Sequence, residues 1–446
     1  MSKNKEQILY GEEKKMRKIY LVWLLVGMFV ITSTLIASAE KVAIDYWIQH
    51  GSGMHASIAD KLINEFNRTH PDIKVNLLRI TETIAGDPSE KLIIAIAGGT
   101  PPDVADLAPD RLVEWVIKGA TQPITEFVEK AGIDLERDFF EFAVEPLIYK
   151  GEVYELPLHS DARALYYNKK LFREAGLDPN KPPKTITELD EYAEKLTVKD
   201  STGRYKVIGF IPWYGCVFLL NYGWRWGGEI YDPEANKVTI NEEPYVRALT
   251  WMNSYAEKYG VTAMRSFSTA FGSGAMNPFI IDKLGMVADG NWSMGTYQKY
   301  APNLDYDVAP FPPGSGGKVT TWASGWAIFI PKGSEHPEEA FEFMKWISGP
   351  DYQTTFCLEG GMFPSNKEVA ADPRFREAFG GRQAVFMDLL PVASAYPPKD
   401  FAAPMLLWDE MIAARDYVLE GMKTPKQALD DVAEKVNAAI APYPPG

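Results

Sequence analysis

Val42-Ala-Ile-Asp-Tyr-Trp-Ile48, then a segment carrying Ile58, Leu62, Ile63 and Phe66, then Ile73-Lys-Val-Asn-Leu77: this stretch decides the fold. The first and last pieces alternate with a period of two, the pattern of a half-buried strand. The four apolar residues between them lie on one face of a helix over 54–68, which Pro71 ends. Strand, helix and strand make a β-α-β unit, whose strands run parallel with a right-handed crossover. A second unit follows. Leu92–Ala97 is helical and stops at Gly98-Gly99, as a helix C-terminus does. Pro101-Pro102 keeps the chain extended, Asp103–Leu107 is a short strand, and a helix over 110–118 ends at Gly119. Alternating strands and helices predict an open α/β sheet.

Downstream the same grammar recurs with more helix. The spacing predicts helices over 171–176, 186–196, 243–260, 337–348 and 425–440, and a strand over 326–330. Ala340, Phe343, Met344 and Ile347 mark the buried face of the fourth helix. Pro310–Gly317 reads as a Pro/Gly linker. No internal repeat or low-complexity tract interrupts the 446 residues.

Upstream, Lys14-Lys-Met-Arg-Lys18 precedes an apolar run from Leu21 to Ile31 and the small-x-small site Ala37-Ser-Ala39. Basic, apolar, small-x-small is the layout of a secretory signal peptide, here residues 1–39, with Glu40 as the expected mature N-terminus. An uncleaved anchor is the alternative, because a weakly apolar tail to Ile36 lengthens the run. Met16 is a second candidate start. No Cys stands at the cleavage site, so no lipoprotein box is present.

Composition narrows the function. The net charge of −14 argues against a phosphate-binding basic surface, so no nucleic-acid partner is expected. Two cysteines cannot build a disulfide scaffold or a multi-cysteine zinc module. Gly314-Ser-Gly-Gly-Lys318 fails as a phosphate loop, since Val319 follows the Lys and Pro312 replaces the first Gly. No G-x-S-x-G elbow exists. Asp232-x-Glu-x-Asn236 with Glu243 imitates a calcium loop, but Lys237 replaces its obligatory Gly, and a plain hairpin turn is the expected reading. His50, His55, His70, His159 and His336 show no zinc-protease spacing. No metal, cofactor or catalytic residue is expected.

Gly151-Glu-Val-Tyr-Glu-Leu-Pro157 followed by Leu165-Tyr-Tyr-Asn-Lys-Lys-Leu-Phe-Arg-Glu-Ala-Gly-Leu-Asp178 resembles the family 1 extracellular solute-binding proteins. These are the sugar receptors of ABC importers, relatives of maltose-binding protein. Gly98-Gly-Thr-Pro-Pro-Asp-Val104, Pro182-Pro-Lys-Thr185, Gly285-Met-Val-Ala-Asp-Gly-Asn-Trp292, Ala340-Phe-Glu-Phe-Met-Lys-Trp346, Gly361-Met-Phe-Pro364 and Thr424-Pro-Lys-Gln-Ala-Leu429 agree in order. The resemblance spans residues 40–440. Ile186 departs from it, where many members carry Trp.

The resemblance implies a two-lobed periplasmic-binding-protein fold (type II), α/β in class, with the ligand in a cleft between lobes joined by crossing strands. Lobe one is placed at 40–158 plus 322–368, and lobe two at 159–321 plus 369–446. Carboxyl ends of strands in open α/β sheets line ligand sites. Sugars present C–H faces to aromatic rings and hydroxyls to planar polar groups. Position against the family pattern selects Trp47, His50, Asp87, Asp110, Ser160, Asp161, Arg163, Trp213, Tyr214, Asn291, Trp292, Gly325, Met362, Phe363 and Trp408. Trp47 and Trp408 are expected to sandwich the sugar. Plainer readings stay open: Trp292, Met362 and Phe363 as core, Asp110 as a helix N-cap, Arg163 as the ion-pair partner of Asp161, and Trp224 and Trp226 as core.

The implied function is an exported monomeric receptor that captures a mono- or oligosaccharide and presents it to the membrane permease subunits of an ABC importer. The glycerol-3-phosphate receptors of this family hold phosphate with an Arg in the C-terminal segment, and Trp408 falls there in this chain. That argues for a neutral sugar. A polyol phosphate or uronic acid is the alternative ligand, and a secreted glycosidase the alternative class. Cys216 and Cys357, one in each lobe, are expected to stay unbonded, since a bridge would oppose hinge closure.

Overall fold

The structure, a computed structural model, describes residues 16, 41–49, 54–80, 88–272, 274–398 and 400–445. The signal segment and its cleavage site, His50 and Asp87 lie outside the described residues. β1 (Val42–Ile48) buries Ile44, Tyr46 and Ile48 on one face, as its alternation requires. α1 (Met54–Thr69) covers that face with Ile58, Leu62, Ile63 and Phe66. β2 (Ile73–Arg79) pairs parallel with β1, Val42 opposite Ile73. α2 (Pro88–Ala97) leads to β3 (Val104–Leu107), which pairs parallel with the other edge of β1.

The expected helix over 110–118 divides. Pro109–Arg111 form a 3-10 turn capped by Ala108, and α3 (Leu112–Ile117) starts after Arg111 with no side-chain cap. Asp110 therefore does not cap a helix. Pro109, with its φ already fixed, makes the tight first turn in its place.

β4 (Glu155–Asp161) and β5 (Arg163–Asn168) are separated only by Ala162, yet they belong to different sheets. α4 (Ile186–Leu196), α5 (Leu219–Arg225) and α6 (Glu243–Tyr259) follow. β6 (Met286–Gly290) and β7 (Tyr306–Ala309) flank β5 in an antiparallel three-stranded sheet. β8 (Thr321–Trp322) and β9 (Ser324–Phe329) return the chain to the first sheet, with Ala323 between them. α7 (Pro337–Ile347), α8 (Pro350–Gly360) and β10 (Phe363–Pro364) complete that part. α9 (Pro404–Leu419) and α10 (Pro425–Ile440) end the chain.

The large sheet runs β10-β4-β9-β3-β1-β2. Its parallel trio β3-β1-β2 is extended by β9, antiparallel to both β3 and β4. Its α1 face packs on α7, where Phe66 meets Phe343 and Trp346 at centroid distances of 5.1 Å each. A separate core surrounds the small sheet, centred on Tyr166, Tyr297, Phe279 and Phe386. Separate cores around a six-stranded and a three-stranded sheet, with single-residue crossings between them, make a two-lobed α/β fold. Among the described residues, no helix is long and apolar enough to cross a membrane.

Other expectations resolve locally. Trp224 and Trp226 are core. Residues 231–238 form the plain hairpin, and the Asp232 carboxylate accepts from the amides of Glu234 and Ala235 within it. The linker at 310–317 is only partly solvated. Gly314 donates its N–H to the Arg225 carbonyl at 3.0 Å, and a Cβ there would lie 2.2 Å from the Trp226 ring.

Candidate functional site

Two of the three chain crossings, at Ala162 and Ala323, lie side by side. The Arg163 amide donates to Thr321 Oγ1 at 2.9 Å, and that hydroxyl donates back to the Arg163 carbonyl at 2.8 Å. Ser324 stands opposite Asp161 and Gly325 opposite Ser160. Alanines 162 and 323 are small enough for this approach, and both are buried. Gly325 is closer still: a Cβ would stand 2.0 Å from the His159 carbonyl oxygen, so only glycine fits.

Asn291 braces the junction. Its Oδ1 accepts from the Ala162 amide at 2.9 Å, and its Nδ2 donates to the Gly361 carbonyl at 2.6 Å. Ser160 Oγ bonds Ser365 Oγ at 2.8 Å. These side chains, selected from sequence as ligand contacts, direct their polar atoms into the fold itself.

Arg163 and Asp161 form an ion pair across Ala162, both side chains 6% exposed. The Arg163 guanidinium also donates to the Trp322 carbonyl at 3.2 Å. It stacks 4.0 Å from the Trp322 ring centroid and 5.1 Å from that of Trp292. A cation held between two indoles and a carboxylate is well fixed. Nearby, Asp289 accepts from Ser293 Oγ at 2.7 Å, and burial raises its carboxyl above the usual range. Burial, with Asp289 second, pushes the Tyr214 phenol up to about 12.

Aromatic rings line the junction. Trp408 on α9 is half-buried, with ring centroids of Phe218 at 4.5 Å, Trp322 at 5.6 Å and Tyr396 at 6.0 Å. α9 packs against α3 and the 109–111 turn that carries Asp110. Asp110 in turn helps burial raise the Tyr396 phenol. A small crevice of about 10 Å³ opens here, lined by Pro109, His159, Ser160, Gly325, Ser365 and Tyr396 among others.

The remaining candidates disperse. Trp47 alternates out of phase with Tyr46 and Ile48, so its indole faces the opposite side of the sheet. There it packs against the cluster of Ile80, Leu92 and Trp115, with Lys91 Nζ 5.7 Å from the ring centroid. These packings do not build the expected sandwich of Trp47 with Trp408. Met362 and Phe363 are buried, one in each core. Trp292 is half-buried, its ring lying against the Gly290 backbone. Trp213 is also half-buried, and its Nε1 has no acceptor among the described residues.

Sequence reasoning missed Trp322, Phe218 and Tyr396, which complete the aromatic wall. It also missed two buried ionisable side chains. Glu155 on β4 is fully buried with no partner for either carboxylate oxygen among the described residues. Burial, then Asp110 and Asp106, pushes its pKa well above the usual carboxylate range. Arg225 is 1% exposed. Its signal was a lone charge between Trp224 and Trp226 in a helix with no other charged residue. Among the described residues, no cluster of three or more His, Cys, Asp or Glu could hold a metal ion.

Comparison with known proteins fits this geometry. The chain is 25% identical over 456 aligned positions to the arabinooligosaccharide-binding protein of Bacillus subtilis, covering 94% of this chain and 98% of the relative. It is 24% identical to the sn-glycerol-3-phosphate-binding periplasmic protein of Escherichia coli, covering 91% and 94% of the two chains. The structure of CpMnBP1 with mannotriose bound superposes with a TM-score of 0.80 at 28% identity, over 89% of this chain and all of that one. Maltose-bound MalE3 of T. maritima shares the fold, with a TM-score of 0.74 at 24% identity over 89% of this chain and all of that one. Residues 51–354 match the family model for bacterial extracellular solute-binding proteins, and the chain belongs to that family.

Proposed function

We propose that this protein is an exported receptor that captures a sugar between its lobes and delivers it to the permease subunits of an ABC importer. The observation that best supports this is the ring cluster of Trp408, Trp322, Phe218 and Tyr396 beside the lobe junction. Indole and phenol faces match the C–H faces of pyranose and furanose rings. The arabinooligosaccharide-binding and mannotriose-bound relatives point the same way. We place lobe one at about 40–161 plus 324–375 and lobe two at about 163–322 plus 376–446, with Asp110, Trp213, Tyr214, Trp292 and Trp408 bordering the cleft. Removal of residues 1–39 by a signal peptidase leaves Glu40 first, which mass spectrometry of the exported protein checks.

The direct test is a thermal-shift screen against mannobiose, mannotriose, arabinotriose, maltotriose, glycerol 3-phosphate and uronic-acid oligomers, followed by calorimetric titration. A ligand at 100 times its Kd adds about 2.7 kcal/mol of stability. At least one sugar is expected to raise the melting temperature without being consumed. Turnover of chromogenic glycosides would replace the receptor reading with a glycosidase.

A further inference from the structure

Several polar atoms left without partners beside α5 and Trp322, on the lobe-two side of the junction, are donors. Arg225 extends from the last turn of α5 and lies against the Phe311 ring at 4.8 Å. Its Nη1 donates to the Asn221 carbonyl one turn earlier at 3.3 Å. Its Nε and Nη2 have no acceptor, and no carboxylate stands within ion-pair distance of it among the described residues. Asn221 is fully buried; its Oδ1 accepts from the Phe218 amide, while its Nδ2 has no acceptor. The first turn of α5 reaches Trp322 through Phe218, ring centroids 6.4 Å apart. Trp322 Nε1 and Arg163 Nε, stacked together, also lack acceptors.

The neighbouring acids do not compensate. Asp161 is paired with Arg163, and Asp289 is engaged by Ser293 and the Gly290 amide. The Tyr222 hydroxyl donates to the Pro212 carbonyl. Burial, together with the nearby like charge of Arg163, lowers the Arg225 pKa to about 10, still far above neutrality. Buried arginines are normally matched by carboxylates, because an unmatched buried charge is strongly destabilising. A row of unmatched donors around a permanent cation fits an acceptor that arrives with the ligand.

We infer that Arg163, Asn221, Arg225 and Trp322 form an oxyanion subsite, and that the captured sugar is anionic, carrying a carboxylate or a phosphate. Forked guanidinium donors suit both groups. This rests on the sugar-receptor reading. It also departs from the inference of a neutral ligand drawn at position 408: the cation is present, but on α5 rather than in the C-terminal segment.

The test compares trigalacturonate and glucose 6-phosphate with maltotriose and mannobiose, for the parent and for Arg225→Met, at constant ionic strength. One anionic sugar is expected to bind the parent at least about tenfold more tightly than either neutral sugar; which one binds identifies the carboxylate or the phosphate. Arg225→Met is expected to lose about 30-fold of that affinity, in line with a hydrogen bond to a charged group. The ligand-free variant should melt no lower than the parent, since an unmatched buried charge has been replaced by an apolar chain. Tighter neutral-sugar binding, or anionic binding that survives Arg225→Met, overturns the inference and leaves the sugar receptor standing. If no sugar of either kind binds, the receptor reading falls and this inference falls with it.

Discussion

Trp408 and Glu155 show how two single side chains respond differently to the lobe junction. Trp408 contributes a half-buried ring to a four-ring cluster, so truncation removes some packing and, on the proposed function, a ligand surface. Aromatic pairs contribute about 0.5–1.5 kcal/mol each, whereas truncating a core Trp costs about 3–5 kcal/mol. Trp408→Ala is expected to lose about 1–2 kcal/mol of stability by thermal melt and to weaken ligand binding at least about tenfold by titration calorimetry. A core-sized loss of stability with unchanged binding would assign the ring to packing alone. Glu155 is held protonated by burial, so its pKa in the folded chain lies above its ordinary 4.5. Above 4.5 the unfolded chain releases this proton and the folded chain keeps it. The stability is therefore complete below that value and declines as pH rises toward the folded value. Glu155→Gln has no such proton to lose. It is expected to melt higher than the parent near pH 7, with the two curves converging near pH 4. Equal melting at both values would show that a partner holds the carboxylate ionised.

Elements whose ends carry their own chemistry were legible from sequence to within a residue. α10 begins at Thr424, whose Oγ1 accepts from the Gln427 amide while Gln427 Oε1 accepts from the Thr424 amide. Removing such a capping box costs about 1 kcal/mol. Thr424→Ala is expected to lower the denaturation midpoint by that amount and to leave ligand affinity unchanged, since the cap lies outside the proposed cleft; a change in affinity would tie α10 to closure. α4 was equally readable because Thr185 caps it, its side chain accepting from the Glu188 amide. The helix over 110–118 was not, because Pro109 and the sheet above it select a 3-10 turn. The site was less legible still. Asn291, Ser160 and Gly325 stood out as polar or small residues at strand ends, and the sequence does not reveal that the strand crossing uses their bonding capacity and space. Arg163, Arg225 and Trp322 come from separate segments that only folding brings together. The period-two pattern of β1 carried the information that Trp47 faces away from Tyr46, but not which face would border the cleft.

At the scale of the whole molecule, the proposed capture of a sugar between lobes requires the two parts to move relative to each other about crossings that include Ala162 and Ala323. α9 already touches α3 and the 109–111 turn, so the described arrangement brings the two parts into contact. A covalent link between them would fix one arrangement. Cys216 and Cys357 are not joined in a disulfide. Cys357 is fully buried in α8, where burial raises its thiol well above the ordinary value and disfavours the reactive thiolate. Cys216, half-buried, follows Gly215, and its amide donates to the Ala288 carbonyl of β6 at 3.1 Å. Ellman's reagent is expected to titrate no more than one thiol in the folded protein, and two after unfolding in guanidinium chloride without reductant. Export into an oxidising space makes this a demanding test, since a bridge is chemically accessible there. Fewer than two thiols after unfolding would mean that the cysteines are oxidised in the secreted protein. If peptide mapping then joined Cys216 to Cys357, closure about the two alanines could not be the binding motion.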